Sequence, residues 1–264
     1  MTESGPAATA RVVLALSARS VRQAFRRPQF LAPILLFPSL FLALNTGGAG
    51  RAVDIPGFPA VNGFLDFELA GVMLQSTMLA AVSGGTALAL DIETGFVDRL
   101  FAAPIPRWAI VVGRLAATAA MGVLTAAWFL AVGLVFGAQV EGGVPGGLLI
   151  FLLAPATAMG FGGLGAALAL RSGRASVVQG MFPLVFVILF LSSAFFPREL
   201  LLEPAATIAD WNPMSFIAEA MRDPVVSAVS LEPLLKGLAG IAVVAAIGIA
   251  LSAAGLRSRL RMGS

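Results

Sequence analysis

Charged residues are absent from six long stretches of this chain: Pro28–Gly50, Leu69–Leu90, Leu115–Val140, Gly142–Leu170, Ala175–Pro197 and Gly237–Leu256. Each runs for 20 or more positions. About 20 apolar residues in a helix cross roughly 30 Å of hydrocarbon, where only helices or closed barrels satisfy their own backbone. Barrel strands alternate apolar and polar positions, and these runs do not. The pattern predicts an all-α integral membrane protein with six transmembrane helices.

Composition changes little in that picture. Hydrophobic residues make up 58% and charged residues 12%, half the share of about 25% usual in soluble domains. Six spans leave little of the 264 residues for a soluble unit, so residues 1–264 read as one transmembrane domain.

Charge orients it. Thirteen of the 17 Lys and Arg lie in the N-terminal arm, the 91–114 and 171–174 loops and the C-terminal tail. Arg51, Arg198, Arg222 and Lys236 lie on the other side, with ten of the 14 acids; Glu3, Asp91, Glu93 and Asp98 are the exceptions. Basic flanks stay inside, which predicts cytoplasmic termini. An even number of spans requires the same. The basic arm before the first span is long and Pro33 and Pro38 interrupt its apolar run, so a retained span is expected rather than a cleaved signal.

Residues 9–27 form an amphipathic arm. At about 100° per residue, Arg11, Arg19, Arg22 and Arg26 share one arc, with Val13, Leu14, Val21, Ala24 and Phe25 on the far side. Two readings stand: an interface helix facing lipid phosphates or a cytosolic partner, or a plain positive anchor. Nucleic-acid binding is a poor account, because the basic charge flanks membrane spans. After the second run comes the densest polar segment, Asp91 to Trp108; a short helix there would gather Phe96, Val97, Leu100 and Phe101 on one side, and Pro104 and Pro106 would stop it. The proline-punctuated segment 197–233 is too polar to span, and Ala205–Trp211 and Met214–Met221 read as short external helices. Gly133-x-x-x-Gly137 and the Gly160–Gly165 cluster are expected to let helices approach closely.

Several chemistries are excluded or weakened. With no histidine and no cysteine, Ser–His and Cys–His nucleophiles and thiolate or imidazole metal sites cannot be built. No carboxylate lies in any of the six runs, which weakens intramembrane acid pairs and ion-coupled transport. The single lysine, Lys236, is not part of a G-x-x-x-x-G-K-[ST] loop, so ATP hydrolysis would have to occur on another polypeptide.

The order of parts resembles the membrane subunit of ATP-binding-cassette type-2 exporters, the group of drug-resistance, lipid and polysaccharide permeases. The family's loop, roughly E-x-E-x-G-T-x-x-R-L-x-x-x-P, is similar to Asp91-x-Glu93-x-Gly95-Phe96-x-x-Arg99-Leu100-x-x-x-Pro104, with Asp for the first Glu and Phe96 for the Thr. Its later S-G-x-x-F-P and N-P resemble Ser193-Ala194-Phe195-Phe196-Pro197, one position shorter and with Ala194 for the Gly, and Asn212-Pro213. The resemblance implies a permease in the bacterial inner membrane without a cofactor of its own. It also implies a second permease subunit, identical or paralogous, and two cytosolic ATPase subunits that carry Mg-ATP. It makes residues 91–104 the coupling helix, with Asp91, Glu93, Gly95, Phe96, Arg99, Leu100, Phe101 and Pro104 meeting the ATPase; the alternative is an interfacial helix with its apolar side in lipid.

In that family the two subunits face each other through spans two and five. The resemblance thus offers Gln75, Ser76, Phe182, Phe186, Phe190, Phe195 and Phe196 as lining of a central path, against phenylalanines that merely face lipid or bundle. A path without charge suits a drug-like or lipid amphiphile better than a charged solute. A polysaccharide permease and a membrane anchor that transports nothing are the alternatives.

Overall fold

The computed structural model describes residues 5–262; Glu3 lies outside them. The described residues form eleven α-helices and two short 3-10 turns joined by loops, without a strand among them. The helices are α1 (Pro6–Phe25), α2 (Pro28–Ala49), α3 (Phe64–Glu93), α4 (Phe96–Ala102), α5 (Trp108–Val135), α6 (Gly143–Ser172), α7 (Ala175–Gln179), α8 (Phe182–Phe190), α9 (Ala205–Trp211), α10 (Pro213–Val226) and α11 (Leu231–Met262). Five helices, α2, α3, α5, α6 and α11, are long and apolar enough to cross a membrane. The fifth expected crossing takes another form. Ala175–Phe190 is a shorter apolar stretch, bent where Gly180 separates α7 from α8, and the chain from Leu191 to Pro197 leaves the helix. Even as one straight helix the 16 residues from Ala175 to Phe190 would reach about 24 Å, short of a roughly 30 Å core.

Helix α3 is the centre of the bundle. In its most apolar stretch 89% of the residues are buried, against 17% in α2 and 28% in α11, so the last two form the outer rim of the bundle. Around α3 pack α2, α5, α6, α7 and α10. Glycine sets the closest approach: a Cβ on Gly85 would lie 2.8 Å from the backbone of Gly165 on α6, and one on Gly163 would lie 3.0 Å from Gly248 on α11. The Gly160–Gly165 cluster thus does the packing expected of it. Gly133 does likewise, meeting Leu69 of α3, but Gly137 instead turns the chain after α5 at φ +93°.

Pro38 sits inside α2 and has no N–H to give the carbonyl four residues back, that of Ile34. The Ser76 hydroxyl on α3 donates to that carbonyl at 2.7 Å. A backbone acceptor freed by proline is thereby satisfied from a neighbouring helix, as a membrane interior requires.

The proline-punctuated segment 197–233 folds back onto the bundle. Helix α9 matches its expected span and α10 extends the second to Pro213–Val226, packed on α3, α6 and α11. The two later motifs meet there. The Asn212 side-chain amide donates to the carbonyls of Ile188 and Leu191 at 2.8 Å each, while its oxygen accepts from the Met214 N–H at 3.0 Å. One side chain therefore closes the end of α8 and opens α10.

Candidate functional site

The polar segment between α3 and α5 is built by three local rules. Helix α3 ends at Glu93, and Gly95 adopts a left-handed φ of 69° that starts α4 in a new direction. Helix α4 stops at Ala102, because Ala103 precedes Pro104 and takes an extended conformation. Trp108 then opens α5.

Asp91, in the last turn of α3, is buried and anchors this corner. Arg19 of α1 donates to its two carboxylate oxygens at 2.9 and 3.2 Å. Arg114 of α5, buried to 4% exposure, pairs with the same carboxylate, and Gln23 donates to it at 3.4 Å. The Arg19 guanidinium also lies 3.7 Å over the Phe96 ring, a favourable cation–π distance. Three elements, α1, α3 and α5, are thus tied together at the root of α4.

The coupling candidates consequently divide. Asp91 is inside, Phe96 is half-buried under Arg19, and Leu100 and Phe101 pack as half-buried residues on the apolar cluster around Leu88, Ile92, Val97 and Leu170. Glu93 is exposed at the surface, with one oxygen accepting from the Ala175 N–H at 2.8 Å. Gly95 makes the turn. Arg99 and Pro104 are exposed, as are Asp98 and Ala102 beside them.

The four arginines of the arm divide too. Arg11, Arg22 and Arg26 are exposed, while Arg19 turns in to Asp91. Helix α1 packs along α5, close enough that a Cβ on Gly113 would meet Leu16 at 2.8 Å, while Leu14 and Phe25 stay exposed.

The pathway candidates separate into a buried polar pair on α3 and a row of phenylalanines. Gln75 is fully buried and neither of its amide atoms has a protein partner. Ser76 bonds α2. Phe182, Phe186, Phe190 and Phe195 interlock with Phe37 and Phe41 of α2: Phe37–Phe186 centroids are 5.3 Å apart and Phe41–Phe195 4.9 Å. Phe190 and Phe196 are exposed at 43% and 51%. The row is therefore a zipper between α2 and α8 with one outer edge free.

Four buried ionisable groups were not singled out from the sequence. Helix α3 begins at Phe64, five residues before its charge-free run, and so carries Asp66 and Glu68 into the bundle, 4% and 0% exposed. Glu68 accepts from Asn45 at 2.7 Å and keeps its other oxygen unpartnered. Arg114 is the third. Arg222 of α10 is the fourth: it donates to the carbonyls of Phe67, Ser193 and Ala194 at 3.1, 3.0 and 2.7 Å and lies 3.8 Å over the Phe67 ring. Nearby, burial would lower the Arg198 guanidinium, but its bonds to Glu219 and Asp210 outweigh that and hold it raised. A basic residue amid a proline-rich segment was the one available signal for this corner.

Comparison with known proteins agrees with this arrangement. The ABC-2 type transporter family model matches residues 11–225. Over 197 residues the chain is 29% identical to a daunorubicin resistance ABC transporter permease protein of Streptomyces coeruleorubidus, covering 74% of this chain and 68% of that one. Over 215 residues it is 26% identical to the ycf38 protein of Pyropia yezoensis, named as a transport permease, covering 80% and 72%. The family match spans the arm, the α3–α4 corner and the proline-punctuated segment that folds onto the bundle, and on it this chain belongs to the ABC-2 type transporter family of membrane permeases.

Proposed function

We propose that the chain is the membrane half of an ATP-driven exporter, residues 1–264 forming one transmembrane domain with both termini in the cytoplasm. Two copies, or this chain and a paralogue, span the membrane, with α7–α8 and the segment after it completing a sixth crossing in each. Two separate ATPase subunits hold Mg-ATP below. The observation that carries this reading is the corner at Asp91. A short helix stands at the end of the most buried helix, braced from α1 and α5, with Asp98, Arg99 and Pro104 facing out. Such a face gives a partner charge-assisted register, while Leu100 and Phe101 stiffen it from behind.

The substrate class follows from two supports. The relative named for daunorubicin resistance favours a drug-like amphiphile, and the α2–α8 phenylalanine edge is an apolar surface for one at the contact between two subunits. A lipid has the same chemistry and belongs to the same proposal.

The test is co-purification of the tagged permease with its ATPase and measurement of ATP hydrolysis in reconstituted vesicles. Arg99→Glu is expected to weaken the association by roughly tenfold or more, about the effect of losing one interfacial anchor, with thermal stability unchanged because Arg99 is exposed. Unchanged association would remove α4 from the interface, and a permease that never binds an ATPase would leave it a scaffold.

A further inference from the structure

A groove with a volume of about 550 Å³ runs between α5, α6 and α11 and shares no residue with the phenylalanine zipper. Its size is within the range of about 300–1,000 Å³ typical of small-molecule sites. Small residues, Ala156, Gly160, Gly163 and Ala245, make its floor, and larger ones, Trp108, Leu115, Met159, Ile249 and Leu256, make its walls. The Ser252 hydroxyl is taken up by the Gly163 carbonyl at 2.6 Å. Apart from the Trp108 indole N–H at its α4 end, no side chain lining this trough offers a free hydrogen bond to a polar guest. It suits an alkyl chain.

Its length and its end are equally specific. From Ile241 to Leu256 the groove follows 16 residues of α11, about 22 Å end to end at 1.5 Å per residue, more than enough for one leaflet's depth of acyl chain. One leaflet's hydrocarbon is about 15 Å deep, half of roughly 30 Å. At the α4 end stands Trp108, 51% exposed, where interfacial aromatics stand. The adjoining Arg107 and Arg257 are exposed, and neither has an ion-pair partner among the described residues.

From this juxtaposition we infer that the groove binds an anionic phospholipid of the cytoplasmic leaflet, its acyl chain along α11 and its phosphate between Arg107 and Arg257. The leaflet assignment rests on the orientation given under Proposed function. A second copy of the chain is the poorer occupant. A two-fold contact through this face would bring the same arginines to the same depth on both sides, placing like charges together.

Trp108 supplies the probe. With Trp128→Phe and Trp211→Phe it is the sole indole, and its fluorescence is read in vesicles as chain-brominated phosphatidylglycerol or chain-brominated phosphatidylcholine replaces the unlabelled lipid. Quenching by the phosphatidylglycerol is expected to saturate at a mole fraction roughly thirtyfold lower than with phosphatidylcholine, the scale set by two cations near a membrane surface. Arg107→Gln with Arg257→Gln should erase the difference. Ala253→Phe, at a half-buried wall position, should reduce quenching by both lipids. Equal quenching in proportion to mole fraction would mean bulk lipid only, and no quenching by either would mean that protein covers the groove; each result overturns the proposal. The assay contains neither ATPase nor nucleotide, so its failure leaves the exporter reading untouched. Labelling of Ser258→Cys tests the orientation separately.

Discussion

Arg19 and Asp91, 72 residues apart in sequence, form a two-point contact at 2.9 and 3.2 Å. The exposures of the partners differ sharply: the Arg19 side chain is 38% exposed and that of Arg114, on the same carboxylate, 4%. The two pairs should therefore differ in worth. A partly solvated pair is worth about 0–1 kcal/mol, whereas removing the partner of a buried charge costs about 3–5 kcal/mol.

Asp91→Asn is accordingly expected to lower the thermal midpoint in detergent far more than Arg19→Gln, because only the first leaves Arg114 buried without a counter-charge. Arg19→Gln should spare folding and reduce ATP-coupled transport instead, since it frees α1 and uncovers the Phe96 ring. Equal midpoints for the two variants would refute the division of labour at this corner.

Ser76→Ala should destabilise the protein by about 1–2 kcal/mol, the cost of orphaning the Ile34 carbonyl. Restoring an N–H to α2 with Pro38→Ala ought to recover most of that loss, because the carbonyl regains its own helix partner. A denaturation series of the two single variants and the double variant measures the coupling.

Gln75→Leu tests whether a buried amide has a use. Both amide atoms lack protein partners, so replacing them with methyls is expected to stabilise the fold by about 1–2 kcal/mol. If the amide meets substrate when the bundle opens, the same variant will lose substrate-stimulated hydrolysis while keeping the basal rate. Phe186→Ala should act in the same direction by loosening the contact with Phe37. Stimulated and basal rates that fall together in both variants would take these residues out of the path.

The absence of cysteine makes the topology directly measurable. In intact cells an impermeant maleimide should label Ala60→Cys, in the loop before α3, and leave Ser258→Cys unlabelled until the membrane is opened. The reverse pattern would invert the orientation.

Much of this was legible in the chain itself. Lengths of uncharged sequence located the five long helices, and Pro104 and Pro106 marked the stop of α4. Two kinds of feature were not. Counting from charge to charge started α3 at Leu69, which hid Asp66 and Glu68; a helix carries a carboxylate inward wherever neighbours such as Asn45 can meet it. Pairings across space were hidden as well. Nothing local to Asp91 distinguishes an acid that faces an ATPase from one that holds Arg19 and Arg114, because the partners lie on separate helices. The apolar positions of α4 carry a related ambiguity: amphipathicity reports that a face is covered, and here Leu100 and Phe101 pack, half-buried, on the bundle's own cluster around Ile92 and Leu170.

The glycine contacts of α3 have a mechanical consequence. At Gly85 its backbone touches that of α6, and at Gly71 it touches the Ala194 carbonyl beyond α8. Asp91 lies six residues past Gly85, about 9 Å along the axis, and Gly71 lies 14 residues before it, about 21 Å. Turned about Gly85 as a fulcrum, a stiff rod of these proportions multiplies a push at Asp91 a little more than twofold at Gly71, and reverses its direction. A shift of 1 Å at the α4 corner would thus swing the far end by roughly 2 Å, toward or away from the segment that carries Ser193 and Phe195.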